Sequence, residues 1–189
     1  MNTPPRVAVG LVHWPVYDKA KSVVCTNVTN FDVHDIARAS RTYGVEKYYV
    51  INPMKEQLAF VSRMLDFWRV GYGSSYNHMR HTALTMVDVA HSLPEALQAW
   101  DPNTKIITTS AKAQPGIESI DFKALREEMW SSGGGSYFIV FGTGFGLEES
   151  VYENTRLLEP IKGAVGGGEY RHLSVRSAVS ICLDRLLGA

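Results

Sequence analysis

The chain has 189 residues, 45% hydrophobic and 20% charged, with 19 basic residues balanced by 19 acidic ones. That length buries a substantial core in one domain, 1–189, and the composition excludes a disordered or fibrous chain. Zero net charge counts against a free-standing nucleic-acid binder, and Cys25 and Cys182 are too few for a disulfide framework or a four-ligand zinc site. No apolar run nears the roughly 20 residues that cross a bilayer. The N-terminus lacks the basic start and apolar core of a signal peptide, so a cytoplasmic location is expected.

Val7 to His13 (VAVGLVH) is an almost continuous apolar run, the pattern of a strand covered on both faces. A polar loop leads through Asn30 to a helix with Val33, Ile36, Ala37, Ser40 and Tyr43 at helical spacing, Asp32 as its N-cap and Gly44 at its end. Val45 to Ile51 is a second strand. Met54 to Trp68 puts Leu58, Val61, Leu65 and Trp68 on one helical face, and the polar RVGYGSSYNHMRH behind it reads as a long exposed loop. A strand over Ala83 to Ala90, a proline-started helix from Pro94 to Trp100 and a strand from Lys105 to Ser110 follow. Ile117 to Trp130 is expected to be helical, SSGGGS a turn, and Tyr137 to Phe141 (YFIVF) the last clear strand. Beyond it come FGTGFGL, a short apolar LLEPI, the glycine-rich KGAVGGGEY, and a closing helix striped with Val175, Val179, Cys182 and Leu186. Strands alternating with helices imply an α/β fold with a mostly parallel sheet.

A strand running into FGTGFGL invites a dinucleotide or class I methyltransferase reading, in which glycines let the backbone approach a cofactor. Such loops follow the first strand of a sheet, whereas only 43 residues remain after Gly146. A phosphate loop fails because no GxxxxGK occurs, and a bare glycine turn needs no ligand at all.

The combination of FIVFGTGFGL, LLEPIKG and HLSVRSAVSICLDRL resembles the three-part C-terminal signature of the SPOUT, or α/β-knot, RNA methyltransferases. NFDVHDIARASRTYGVEKYYVI resembles the opening motif of their 2′-O-ribose branch, and the likeness spans about Val7 to Leu187. The resemblance implies a mostly parallel sheet sandwiched by helices, closed by a deep C-terminal trefoil knot, a rare exception among folds. It implies S-adenosylmethionine among three loops, leaving as S-adenosylhomocysteine. The first loop is Thr109, Ser110 and Ala111; the second carries Gly142, Thr143, Gly144, Gly146 and Leu147; the third runs from Ile161 through Gly166 to Leu173 and Ser174. No metal is implied, since the sulfonium already carries an electrophilic methyl group.

On the same resemblance, Arg38 matches the arginine placed near the target ribose, and Ser174 the polar residue at the start of the last helix; these two are the catalytic candidates. Arg41, Arg80, His81 and Arg176 are candidate RNA contacts. Bland alternatives stand beside them: Arg38 paired with Asp35 or Asp32, Ser174 as a simple N-cap, and His34, His172 and Asn30 as structural groups. Gly144 stands where ribose-methylating relatives usually carry a glutamate, and Asp32 where they often carry asparagine. The expected activity is methylation of RNA, with a tRNA ribose 2′-OH favoured. Base methylation, for example at guanine N1, a non-catalytic binder of RNA or cofactor, and a Rossmann-type oxidoreductase are the alternatives. The implied assembly is a homodimer with a shared pocket, joined through the first and closing helices.

Overall fold

Arg6–Val12 (β1) is buried at every position after Arg6, so both of its faces must be covered by helices. The computed structural model describes residues 4–131, 133–165, 170 and 172–189 and shows how this is done. After β1 come a hairpin of Val16–Tyr17 (β2) and Val23–Val24 (β3), helix Asn30–Thr42 (α1), strand Lys47–Ile51 (β4) and helix Lys55–Arg69 (α2). Two short helices, Tyr72–Tyr76 (α3) and His78–Leu84 (α4), lead to strand Val87–Ala90 (β5), helix Leu93–Trp100 (α5) and strand Lys105–Thr108 (β6). The chain closes with Ser119–Ile120 (β7), Phe122–Met129 (α6), Ser136–Gly142 (β8), a single 3₁₀ turn, Arg156–Leu158 (β9) and Val175–Leu187 (α7). Seven strands form one sheet in the order β5-β4-β1-β8-β6-β9-β7, and every pairing in it is parallel.

Alternation along the central strands divides the core in two. Val7, Val9 and Leu11 of β1, with Tyr137, Ile139 and Phe141 of β8, pack against apolar faces of α1, α2, α6 and α7. Ala8 and Val12, with Phe138 and Val140, face Ala96 of α5 together with Leu147, Val151 and Tyr152. Gly10 lies on this second face, where an added Cβ would overlap the Phe138 ring, itself stacked on Tyr49 at 5.7 Å. No helix among the described residues is long and apolar enough to cross a membrane.

The parallel α/β architecture agrees with the sequence reading, and five local expectations do not. The stretch between β1 and α1 contains the β2–β3 hairpin instead of a featureless polar loop. The N-cap of α1 is Thr29, three residues before Asp32; its hydroxyl accepts from Asp32 N at 3.2 Å while the Asp32 carboxylate accepts from Thr29 N at 3.3 Å, a reciprocal capping box. The supposed loop after α2 folds into α3 and α4, because Asn77 caps α4 by accepting from Arg80 N at 2.9 Å, and Ala83 and Leu84 anchor it in the core. The strand expected over Ala83 to Ala90 is thereby shortened to Val87–Ala90, since its first two residues belong to α4. The helix expected from Ile117 begins only at Phe122: Ser119 and Ile120 pair with β9, and Asp121 caps α6 through Ala124 N at 2.8 Å. The trefoil expected of the last segments runs through 166–169 and 171, which lie outside the described residues.

At the amino ends of β6, β8 and β9 a polar clasp holds α6 to the sheet. Glu128 accepts from both terminal nitrogens of Arg156 at 2.8 Å, from Lys105 Nζ at 2.9 Å and from the Tyr137 hydroxyl at 3.1 Å. Arg156 foremost, then Lys105, pull the Glu128 carboxyl down to about 2 against the cost of burial. A carboxylate depressed in the folded state contributes stability above its unfolded pKa, and that contribution fades as pH falls from the ordinary glutamate range toward 2. Glu128→Gln is therefore expected to lower the melting temperature at pH 7 and to flatten its decline between about pH 5 and pH 2, read by calorimetric scans across that range. Gly10→Ala, which overpacks the Phe138 face, is expected to cost about 1–3 kcal/mol in urea unfolding.

Candidate cofactor and substrate site

In an open parallel sheet, ligands gather at the carboxyl ends of the strands. Here each central strand passes from apolar to polar at that edge: β1 into His13, β4 into Asn52, β6 into Thr108 and Thr109, and β8 into Gly142 and Thr143. His13, Asn52 and Thr108 are buried, so their polar atoms require partners.

Thr26, from the segment behind the hairpin, supplies several of them. Its hydroxyl lies 2.9 Å from His13 Nδ1 and 2.6 Å from the Thr143 hydroxyl, and its carbonyl accepts from Asn52 Nδ2 at 3.1 Å. Thr143 Oγ1 donates to Val12 O at 3.1 Å. With that proton committed, Thr143 accepts from Thr26, and Thr26 in turn accepts from His13, which places the imidazole proton on Nδ1. Burial pushes the His13 pKa down to about 4 against the pull of Asp32, so the ring is neutral near pH 7. Its Nε2 is buried and has no partner among the described residues. On the other side, Asn52 Oδ1 accepts from Met54 N at 2.9 Å and from the Cys25 thiol at 3.4 Å, fixing the turn that enters α2.

The glycine turn is shaped from outside by the hairpin. Tyr17 N donates to Gly146 O at 2.9 Å, Phe145 N to Tyr17 O at 2.8 Å and Glu148 N to Pro15 O at 3.2 Å. Gly144 has φ +58°, and a Cβ there would stand 2.8 Å from the Tyr17 carbonyl oxygen. Backbone of the hairpin thus fills the space that a side chain at position 144 would need, and the positive φ favours glycine there as well. Gly146, at φ +111°, opens onto space with nothing within 4 Å of where its Cβ would be.

Other candidate cofactor residues fall as follows. Thr109 donates from both N, at 3.1 Å, and Oγ1, at 2.9 Å, to Val140 O, which ties the first loop to the end of β8 and so to the glycine turn. Ser110 Oγ accepts from Lys112 N at 3.1 Å and Gln114 Nε2 at 3.0 Å, leaving Ala111 exposed. Leu147 is buried among Val12, Val16 and Phe138, so its side chain faces the core. Ile161 packs half-buried on the opposite cluster, Leu173 is exposed, and Ser174 caps α7 by accepting from Ser177 N at 3.2 Å. Gly166 lies outside the described residues. An open flank at Gly146 and exposed apolar Phe145 and Leu173 suit S-adenosylmethionine, whose adenine and ribose are held by backbone groups and apolar contact.

The arginines separate clearly. Arg176 of α7 takes both acids once available to Arg38: its Nε lies 3.7 Å from Asp32 and its Nη1 3.3 Å from Asp35, with the guanidinium 5.3 Å from the centre of the Phe31 ring. Arg38 and Arg41 are left exposed on α1, without an ion pair among the described residues. His81 Nδ1 is bonded to Trp68 O at 2.9 Å, while Arg80 lies over the Trp68 ring at 4.9 Å. His34 meets the same ring edge-on, and His172 lies 5.5 Å from Tyr170.

Sequence reasoning passed over His13, Thr26 and Asn52. The signal for two of them was present, since His13 and Asn52 each directly follow a buried apolar run and therefore sit at a parallel strand's carboxyl end. Thr26 carries no such mark, because it depends on the hairpin. Placing an acid there by Gly144→Glu is expected to cost about 1–3 kcal/mol of stability and to weaken S-adenosylmethionine binding, read by thermal scanning and calorimetry. A variant as stable as its parent would show that the Tyr17 carbonyl does not confine this turn.

Residues 6–188 match the family model of SAM-dependent RNA methyltransferases. A protein of Aquifex aeolicus bearing no functional name is 34% identical over 186 residues, which cover 96% of this chain and 88% of the relative. The tRNA (guanine-N(1)-)-methyltransferase of Nitratidesulfovibrio vulgaris is 36% identical over 193 residues, covering 99% of this chain but 43% of that protein, so the chain spans less than half of this relative's length. The TrmH/SpoU tRNA modifying enzyme of A. aeolicus shares the fold at a TM-score of 0.55 and 13% identity, over 98% of this chain and 75% of that one. The parallel sheet with its strand order, and the match over nearly all of the chain, make it a member of the SAM-dependent RNA methyltransferase family, built on the SPOUT fold.

Proposed function

We propose that the protein methylates a ribose 2′-OH of tRNA, acting as a cytoplasmic homodimer of single-domain subunits whose last segments thread a trefoil knot. The observation that carries this reading is the freedom of Arg38. Its ordinary partners, Asp32 and Asp35, are held by Arg176, so a permanently charged guanidinium stands exposed on α1 with no acid paired to it among the described residues. Such a group suits a phosphate held by two parallel hydrogen bonds, and it suits the negative charge that grows on a ribose oxygen as it attacks.

Bound S-adenosylmethionine supplies the methyl group as an electrophile on its sulfonium. The loops 109–111, 142–147 and 161–174 hold and orient it, with Gly146, open where a Cβ would stand, admitting close approach to the backbone. Arg38 fixes the nucleotide so that its 2′ oxygen lies in line with the methyl group, and stabilises that oxygen while its proton is lost to water. Ser174, whose hydroxyl already accepts from Ser177 N, orients the start of α7 beside the cofactor.

The names of the relatives support tRNA as substrate: one methylates guanine N1 of tRNA and another is a tRNA modifying enzyme. Guanine-N1 methylation is the second reading, favoured by the absence of the acid at Gly144. It carries less weight because the guanine-methylating relative has more than twice the matched length, and its chemistry can reside in the remainder. Arg38→Ala is expected to reduce transfer of labelled methyl to bulk tRNA by about 100-fold or more while S-adenosylmethionine affinity, measured by calorimetry, stays within a few fold. Joint loss of both would mark Arg38 as structural. Mass spectrometry of nucleosides from the treated tRNA, showing a methylated ribose instead of 1-methylguanosine, separates the two readings.

A further inference from the structure

The helical excursion between β4 and β5 bears a surface that methyl transfer itself leaves unused. Phe60, Phe67, Val70, Tyr72, Tyr76 and Met79 are all exposed between residues 60 and 79. Exposed apolar side chains normally scatter singly; grouped and rimmed by charge, they mark an interaction site. Packing holds this group in place. The Phe67 and Trp68 rings meet edge to face at 5.2 Å and press against Gly73, where an added Cβ would stand 2.9 Å from one and 2.7 Å from the other. On the same short helix Tyr72 and Tyr76 stack at 5.8 Å with an interplanar angle of 29°.

The charge around these rings is cationic. Arg63 falls between Phe60 and Phe67 on one face of α2, at i+3 and i+7 spacing, and α3 and α4 contain no acid. The Arg80 guanidinium lies over the Trp68 ring with its N–H groups free of any acid, and neither it nor Arg63 has an ion pair among the described residues. Glu56 and Asp66 are the acids of α2. The surface also reaches the proposed catalytic arginine. His34, one turn before Arg38, sets its ring edge against Trp68 at 5.5 Å. Its pKa is lowered by burial first, then by the charge of Arg80 and, against Asp35, by that of Arg38.

We propose that α2, α3 and α4 form a stacking platform for unpaired nucleotides of the substrate RNA flanking the methylated position, with Phe67, Tyr72 and Tyr76 taking base faces and Arg63 and Arg80 taking phosphates. Aromatic faces interleaved with cations are the chemistry by which single-stranded nucleic acid is held without sequence readout. This rests on the RNA-methyltransfer reading above and adds where the strand lies. A second copy of the chain fits the surface less well, because a twofold contact would bring together two copies of the same helices α3 and α4, which contain no acid to pair with Arg80.

The test measures binding of fluorescein-labelled oligouridylate and of bulk tRNA by anisotropy, with S-adenosylmethionine affinity and light-scattering mass taken on the same samples. The double variant Tyr72→Ala/Tyr76→Ala is expected to lose about tenfold to a hundredfold in oligouridylate affinity, with unchanged melting temperature, cofactor affinity and mass. Tyr72→Phe/Tyr76→Phe, which keeps both rings, is expected to retain it. Arg63→Gln and Arg80→Gln should each reduce the dependence of tRNA affinity on salt by about one phosphate contact. If the alanine variant keeps parental RNA affinity while the parent methylates tRNA, the platform alone is overturned. If that variant instead falls in mass with RNA binding intact, the face joins two copies and the proposal fails. A parent that neither binds nor methylates any tRNA overturns the platform together with the enzymatic reading.

Discussion

One hydroxyl group, Thr26 Oγ1, joins the ends of the two central strands to the segment that follows the hairpin. It accepts from His13 at the end of β1 and donates to Thr143 at the end of β8, whose own proton then returns to Val12 of β1. The chain of donors runs in one direction only, since each hydroxyl has a single proton to give. A buried network of this kind is costly when half satisfied and rigid when complete. The neutrality of His13 belongs to the same logic: a second ring proton would place an imidazolium in an apolar interior with nothing described to receive it. The position of the glycine turn, and so of the proposed cofactor loop, depends on this closure.

A comparable division of labour governs α1. Asp32 completes the cap of its own helix and, with Asp35, receives Arg176 from α7. Those two contacts bind the first helix to the last, across which α1 and α7 already share apolar packing in one core cluster. Their consequence is electrostatic. By occupying the acids they leave the neighbouring guanidinium of Arg38 without an ion pair among the described residues.

Much of this was legible in the residues. Apolar runs with polar ends marked β1, β4, β6 and β8, and the 3.6-residue spacing of Val33, Ile36, Ala37 and Ser40 marked the buried face of α1. The motifs FGTGFGL and LLEPIKG, with HLSVRSAV, carried the family. Features resting on a few local hydrogen bonds were hidden. Composition alone gave no reason to expect α3 and α4, whose formation turns on the Asn77 cap and on Gly73 lying against two rings. The hairpin was equally hidden, because its strands are two residues long and the first of them is tied to the glycine turn by backbone groups. Asp32 serves the cap of α1 from the N3 position and not as the N-cap, since a capping box pairs the N-cap residue with the one three further along.

The contact between Tyr17 and the glycine turn is made by main-chain atoms on both sides. Nothing in it reads the tyrosine side chain, so substitutions at position 17 can pass without disturbing the turn, provided the strand remains. What it does read is distance along the chain: the number of residues between His13 and Thr26 sets where the carbonyl arrives. Descent in this family would then be recorded here by the absence of insertions and deletions, a constraint that residue identity does not reveal.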